Sequence, residues 1–129
     1  MTMPEPTVFI VDDDPSVLRS FQALFSSMDL PVRTFSSGRE FLDAVQPGQP
    51  GCVVVDMRMP EMDGLELQRE INRRSLGVTV IIISGGGTDD IRDRTMAAGA
   101  LACLEKPVKG KDLTDLVRQG LEKSVEMSA

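Results

Sequence analysis

Acidic, hydroxyl and amine side chains follow the apolar segments of this chain in a pattern that suits phosphoryl chemistry. The groups are Asp12 and Asp13 after the first apolar segment, Asp56 at the end of the third, Ser84 after the fourth and Lys106 after the fifth. Close carboxylates repel one another unless a cation balances their charge, and hard oxygen ligands of this kind suit Mg²⁺. A lysine and a hydroxyl beside them can bind phosphoryl oxygens, and a carboxylate there can itself be the nucleophile. If these groups meet, they predict a Mg²⁺ site at which an aspartate accepts a phosphoryl group.

Each group taken alone has an ordinary structural explanation. Aspartates after a strand, such as Asp12–Asp14, often form a turn and a helix cap, and Asp56 before a loop can be a turn residue. Ser84-Gly85 is common in loops, and Lys106-Pro107 alone indicates a solvated lysine and an extended step. The functional interpretation therefore depends on whether the segments before these residues are parallel strands of one sheet.

The spacing of apolar residues predicts five strands alternating with five helices. Strands are expected over 7–11, 32–35, 52–56, 78–83 and 100–104, and helices over 15–28, 38–45, 65–74, 89–98 and 110–124. Asp14 and Pro15 are typical of a helix start, and Ser37 with Glu40 has the form of a capping box. Continuous apolar strands indicate a parallel sheet with right-handed crossovers and helices on both faces. The carboxyl ends of such strands share one edge, where ligands bind, so the polar groups should converge there.

Length and composition favour one globular domain without a membrane segment. The chain has 129 residues, of which 41% are hydrophobic and 26% charged, and its net charge is −6. This acidic balance argues against direct binding to nucleic acid, and no apolar run reaches the roughly 18 residues that span a membrane. The N-terminus lacks the form of a signal peptide, so a cytoplasmic location with reduced thiols at Cys52 and Cys103 is expected. We expect an N-terminal tail over 1–6, one domain over 7–125, and a C-terminal tail or the start of a linker over 126–129.

These motifs together resemble those of the receiver domains of two-component response regulators. The matching stretches are Val11 to Asp14, Asp56 to Gly64, Ser84-Gly85, Ala98 to Ala100 and Lys106-Pro107. The order Asp-x-Arg-Met-Pro-x-Met-x-Gly, with Phe41-Leu42 after the second helix cap, is most similar to the FixJ-type subgroup. The resemblance implies a CheY-like α/β fold: a single (βα)5 doubly wound domain whose five parallel strands lie in the order 2-1-3-4-5, with helices on both faces.

The resemblance assigns the acidic residues to an aspartyl-phosphate site that uses Mg²⁺. It implies that Asp56 is the phosphoacceptor. Asp13 and Asp56 would bind Mg²⁺ directly, together with the backbone carbonyl of Arg58. Asp12 would act on the cation mainly through water.

The same resemblance assigns the remaining groups to binding and sensing the phosphoryl group. Ser84 would turn its hydroxyl toward it, and Lys106 would pair first with the acceptor carboxylate and then with the phosphoryl oxygens. Asp56, Ser84 and Lys106 are the expected catalytic set, although such domains catalyse only their own phosphorylation and dephosphorylation. Family members usually hold the lysine–proline bond in the cis form. The expected switch residues are Ser84, Gly85, Cys103, Lys106 and Pro107.

The resemblance also implies partners. A sensor histidine kinase would donate the phosphoryl group from a phosphohistidine. The switched surface would be formed by helix 4, strand 5 and helix 5, and phosphorylation is expected to favour a homodimer. The FixJ-type pattern suggests a helix-turn-helix output domain downstream or a separate downstream protein, with no direct contact between this domain and nucleic acid or a membrane.

Position 103 departs from the family pattern. Receivers usually carry Tyr or Phe three residues before the lysine, and here that residue is Cys103. We therefore expect the signal to pass through the segment 84–90, which contains Gly85 to Gly87, and through the fourth helix. That helix has only a thin apolar stripe, and switching elements are drawn from the least stable parts of a fold.

Two other functions compete with this interpretation. A haloacid-dehalogenase-type phosphohydrolase would use Asp12 as its nucleophile, but Ser16 replaces the usual Thr or Val, the chain is short, and Asp56 would have no role. A receiver-like interaction module that is never phosphorylated would not need the complete set of polar residues. Gly85 to Gly87 matches no nucleotide-binding motif, which argues against a nucleotide site.

Overall fold

Five parallel strands form one sheet with helices on both faces in the computed structural model, which describes residues 4–86 and 89–128. The strands are β1 (Thr7–Val11), β2 (Val32–Phe35), β3 (Gly51–Asp56), β4 (Thr79–Ser84) and β5 (Ala102–Glu105). The helices are α1 (Pro15–Ser26), α2 (Gly38–Ala44), α3 (Gly64–Arg74), α4 (Asp89–Ala97) and α5 (Gly110–Ser128). The strand order β2-β1-β3-β4-β5, with every pair parallel, confirms the predicted fold.

The three central strands are buried along their whole length because helices cover both faces of the sheet. Every residue of β1, β3 and β4 is buried. Val53 and Val55 pack into the core beside α2 and α3, whereas Cys52 and Val54 pack into the core beside α1 and α5. The continuous apolar sequence of β3 follows from this burial on both sides. It also fixes the backbone that carries Asp56 at the end of the strand.

Side-chain caps fix where α1 and α2 begin. Asp14 accepts a hydrogen bond at 2.9 Å from a backbone N–H in the first turn of α1, as predicted. Ser37 likewise accepts from the N–H of Glu40 at 3.1 Å. The carboxylate of Glu40 accepts from the N–H and the hydroxyl of Ser36 rather than from the backbone of Ser37, so the predicted capping box is only half formed. The hydroxyl of Ser36 lowers the pKa of Glu40.

β5 begins two residues later than the apolar pattern predicts, because the residues before it complete the end of α4. The N–H of Ala100 donates to the carbonyl of Thr95 at 3.1 Å, which keeps Ala100 outside the sheet. The N–H of Leu101 then donates to the carbonyl of Val80 at 2.7 Å, and the strand starts at Ala102. The prediction that the strand starts at Ala100 is therefore wrong.

α5 is longer than predicted and β4 is shifted by one residue. α5 continues to Ser128 instead of ending at Ser124, since neither glycine nor proline interrupts 121–128. β4 includes Ser84, whose carbonyl accepts the N–H of Lys106 at 2.8 Å. The boundaries of the two terminal tails stay predictions, because 1–3 and 129 lie outside the described residues and 126–128 belong to α5. No helix in the described part of the chain has the length and apolar character that crossing a membrane requires.

α5 lies close to the sheet at Gly120. A Cβ at this position would lie 2.7 Å from Sγ of Cys52 and 2.7 Å from Oγ1 of Thr79. The hydroxyl of Thr79 also donates to the carbonyl of Gly120 at 3.0 Å. Both neighbours are short, buried side chains of the sheet, so neither can move aside easily. The absence of a side chain at Gly120 therefore sets the distance between α5 and the sheet.

We expect Gly120→Ala to lower the free energy of unfolding by about 1–3 kcal/mol, because the added methyl group overpacks a filled space. Alanine favours helix by about 1 kcal/mol over glycine, so intrinsic propensity alone would give the opposite sign. Urea unfolding measures the change.

Gly110→Ala is the matched control, because a Cβ at Gly110 would meet nothing within 4 Å. This variant should be as stable as the wild type or slightly more stable. Equal stability of the two variants would contradict the close approach of α5.

Candidate functional site

Asp12, Asp56, Ser84 and Lys106 lie together at the carboxyl edge of the sheet because their strands end level with one another. Val11 pairs with Val55, so Asp12 and Asp56 follow neighbouring positions of β1 and β3. Asp56 pairs with Ile83 of β4, and Ser84 pairs with Glu105 of β5. The sequence-based expectation that these strand ends meet at one edge therefore agrees with the register of the sheet.

Three carboxylates form an acidic cluster at this edge. One oxygen from each of Asp12, Asp13 and Asp56 lies within 4.8 Å of the others. Asp12 and Asp56 retain only 5% and 9% of their exposure, whereas Asp13 is exposed. Burial raises the pKa of Asp12, and the charge of Asp56 adds to this effect. An N–H bond from Asp14 to Oδ1 of Asp12, at 2.9 Å, acts in the opposite direction on that pKa.

Lys106 supplies positive charge to the cluster. Its Nζ lies 3.3 Å from Oδ1 of Asp56, and the lysine side chain is 43% exposed while that of Asp56 is 11% exposed. Such a partly solvated pair contributes little to stability. Its position matters more: the N–H of Lys106 donates to the carbonyl of Ser84 at 2.8 Å, which fixes the start of the lysine side chain beside β4. The bond from Lys106 to Pro107 is cis.

The backbone around Asp56 is held by β4 and by the start of α3. The N–H of Met57 donates to the carbonyl of Ile83 at 2.8 Å, and the N–H of Gly64 donates to the carbonyl of Met57 at 2.9 Å. A Cβ at Gly64 would lie 3.1 Å from the carbonyl oxygen of Asp56 and 3.1 Å from Cα of Met57. Glycine at this position therefore lets α3 begin directly against the backbone of Asp56.

A complete capping box at the start of α3 was not anticipated from the sequence. Asp63 accepts from the N–H of Glu66 at 2.8 Å, and the carboxylate of Glu66 accepts from the N–H of Asp63 at 3.2 Å. The spacing of an aspartate and a glutamate three residues apart before an apolar helix is the signal that could have revealed it. This box fixes the end of the loop that follows Asp56.

The remaining predicted residues lie at the end of β4 and in the loop after β3. Ser84 is 4% exposed at the end of β4, and Gly85 follows it at the surface, where a Cβ would lie 3.9 Å from Cδ of Lys106. Arg58 is exposed in the loop after β3, two residues beyond Asp56. The predicted role of its carbonyl as a metal ligand stays a prediction.

Cys103 lies on β5 beside a cavity of about 80 Å³ between β5 and α4. The thiol is half-buried, and Ser84, Ile91 and Arg92 also line the cavity. The other cysteine, Cys52, differs in its environment because burial raises the pKa of its thiol to about 12. Both cysteines are free, as expected.

Comparison with known protein families gives a consistent result. The family model described as "Response regulator receiver domain" matches residues 8–118. The transcriptional regulatory protein TdiR of Thauera aromatica is 39% identical over 122 residues, which cover 95% of this chain and 54% of that protein. The transcriptional regulatory protein FixJ of Azorhizobium caulinodans is 39% identical over 125 residues, which cover 96% of this chain and 59% of that protein. The chain thus spans about half the length of the curated relatives it matches.

Solved structures show the same fold. The response regulator StyR is 41% identical with a TM-score of 0.89, over 95% of this chain and 62% of that one. FixJ-N is 30% identical with a TM-score of 0.83, over 93% of this chain and 96% of that one.

We expect Asp12→Asn to stabilise the metal-free protein at neutral pH by about 1 kcal/mol, the scale of a typical single substitution. Because the pKa of Asp12 is raised in the folded protein, Asp12 contributes most to the free energy of unfolding below its pKa in the unfolded chain. This contribution is lost as pH rises through its pKa in the folded protein. Asparagine keeps an oxygen for the N–H of Asp14 and never becomes charged. The gain should therefore shrink toward about pH 4. Urea unfolding in a chelating buffer at both pH values measures it.

Asp43→Asn controls for the general loss of one negative charge, because Asp43 is exposed on α2. The same gain in both variants would show that net charge, rather than burial in the cluster, determines the effect.

Proposed function

This chain belongs to the family of response regulator receiver domains of two-component systems, and on that basis we propose that Asp56 accepts a phosphoryl group from a phosphohistidine of a sensor histidine kinase. A receiver domain is a signalling domain and not a typical enzyme. The observation that carries the proposal is the ion pair between Asp56 and Lys106 at the edge of a three-carboxylate cluster. This arrangement combines a nucleophile, a set of oxygen ligands and a lysine ammonium group that can bind the phosphoryl oxygens after transfer.

The residues present fit a Mg²⁺ ion. The three carboxylates supply hard oxygen donors within 4.8 Å of one another, and the raised pKa of Asp12 indicates negative charge that a cation would relieve. Asp13 and Asp56 would hold the ion directly, with the backbone carbonyl of Arg58, and Asp12 would hold it mainly through water. When bound, Mg²⁺ neutralises charge on the phosphoryl oxygens.

The transfer forms one bond and breaks one. An oxygen of the Asp56 carboxylate attacks phosphorus, and the phosphorus–nitrogen bond of the phosphohistidine breaks, leaving the electron pair on the imidazole nitrogen. Lys106, already 3.3 Å from Asp56, exchanges its carboxylate partner for a phosphoryl oxygen. The product carries about −1.5 to −2 units of charge on its phosphoryl group. The hydroxyl of Ser84, buried at the end of β4, turns to donate to it.

The switch acts through the β4–α4 side of the domain. Ser84, Gly85, Lys106 and Pro107 surround the acceptor and gain contacts when its charge rises. Because Cys103 replaces the usual aromatic residue, the change passes through the segment 84–90 and α4 to the surface formed by α4, β5 and α5. Gly87 and Thr88 of that segment lie outside the described residues.

The output is the control of transcription through a longer protein. Two relatives carry the printed name of transcriptional regulatory protein, and each is nearly twice as long as the stretch that this chain covers. A helix-turn-helix domain downstream would bind DNA, and phosphorylation would favour a homodimer. The net charge of −6 disfavours direct binding of nucleic acid by the receiver itself.

Incubation with Mg²⁺ and acetyl phosphate should add one phosphoryl group to the wild type and none to Asp56→Asn, because only a carboxylate provides the nucleophile. Intact-mass measurement and peptide mapping report the site. Equal gain in both proteins would reject Asp56 as the acceptor. Labelling of Asp12 would instead support a phosphohydrolase of the haloacid-dehalogenase type.

Lys106→Met should slow phosphorylation of Asp56 by at least about tenfold, since the variant keeps the aliphatic stem but loses the charge that meets the phosphoryl oxygens. The time course of the mass gain measures the rate. Lys109→Met removes the same charge from an exposed position three residues later and should leave the rate unchanged. Similar rates for both variants would exclude a direct role for Lys106.

A further inference from the structure

The two ends of α4 are attached to the domain in different ways. Near its C-terminal end, Nδ2 of Asn72 on α3 donates to the carbonyl of Ala98 at 2.7 Å. Thr95 is the only buried residue of α4, all of which is described, and its carbonyl accepts the N–H of Ala100 at 3.1 Å. Among the described residues, these contacts attach the last turn of α4 to the core.

The side chain of Asn72 is itself held in one orientation. Its Nδ2 donates to Ala98, so its Oδ1 must accept, and Nε2 of Gln68 donates to that oxygen at 3.0 Å. Gln68 is 2% exposed, and its Oε1 has no hydrogen-bond partner among the described residues. Because Oε1 of Gln68 makes no hydrogen bond, the bond from its Nε2 to Asn72 is what orients this side chain. Leaving a buried oxygen unpaired costs free energy. Gln68, Asn72 and Ala98 form a relay that fixes the last turn of α4 to α3.

The first half of α4 lies over the cavity of about 80 Å³ beside Cys103. Ile91 lines this cavity and is half-buried, whereas Arg92 is exposed and keeps its charge in solvent. The side chain of Cys103 is smaller than the ring that receivers usually carry there. Packing an apolar side chain into this space would remove apolar surface from water, which is favourable. The nearest apolar group on α4 that can fill it is the side chain of Ile91.

We propose that α4 is a lever, held at Ala98 by Asn72, whose first half closes over the cavity so that Ile91 packs against Cys103 when Asp56 is phosphorylated. The proposal rests on the proposed function. Ser84 also lines the cavity, and when its hydroxyl turns to the phosphoryl group the space beside Cys103 becomes larger. Ile91, from the helix, then fills space beside β5 that the smaller side chain of Cys103 leaves open.

Cys103 itself reports the closure. Iodoacetamide should alkylate Cys103 in the unphosphorylated protein, whereas Cys52 stays silent because it is buried with a pKa near 12. With Mg²⁺ and acetyl phosphate present, the rate at Cys103 should fall at least about tenfold, as the open form drops to about 10% or less, the range of a minor conformer. An unchanged rate, or a rate that rises, would overturn the proposal.

Failure of the lever and failure of the proposed function give different results. The intact mass of the same sample reports the phosphoryl group on Asp56. No mass gain contradicts the proposed function. A full mass gain with no protection of Cys103 contradicts the lever and leaves the proposed function in place.

Two variants test the attached C-terminal end of α4 and its first half separately. Asn72→Ala removes the bond to Ala98 and should lose most of the protection while Asp56 is still phosphorylated to the same extent. Arg73→Ala, at the exposed position after Asn72 on α3, is its control and should keep the protection. Ile91→Ala cannot fill the cavity and should leave Cys103 reactive in both states. Full protection in either Asn72→Ala or Ile91→Ala would overturn the assignment of that residue.

Discussion

The cost of holding negative charge away from water is the constraint on which this structure depends. Asp12 and Asp56 retain 5% and 9% of their exposure, and burial together with the charge of Asp56 makes ionisation of Asp12 less favourable. Lys106 offsets part of this cost at 3.3 Å from Asp56, but it is partly solvated and faces three carboxylates. The site therefore favours a further cation. The phosphoryl group proposed to join Asp56 would add further negative charge to the same groups.

The elements on the two sides of the site differ in how tightly they are packed. β3 is buried along its length between two cores, and the N–H bonds of Met57 and Gly64 tie the chain after Asp56 to β4 and α3. On the other side of the site, α4 buries only Thr95 and lies partly over a cavity. Asp56 is thus held by extensive packing, whereas the elements on the β4–α4 side of the site pack less tightly.

The sequence predicts the parts of this structure that local chemistry determines. β1, β2 and the cap at Asp14 are where the apolar runs and the capping residue place them, because propensity and burial agree there. The start of β5 was mispredicted because Ala100 is apolar but bonds to Thr95, a contact set by where α4 ends. The relay through Asn72 and the cavity at Cys103 depend on distances between elements far apart in the chain. No spacing of residues within one element could reveal them.

The contact at Gly120 has a consequence for how another protein could sense this domain. α5 sits against Cys52 and Thr79 so closely that a single methyl group would not fit, which fixes its distance from the sheet at this point. Among the described residues of the neighbouring α4, none in the first half of the helix is fully buried. A protein that binds both helices would therefore contact one helix fixed to the sheet and one that packs less tightly. Such a protein would detect a change in the position of α4 relative to α5.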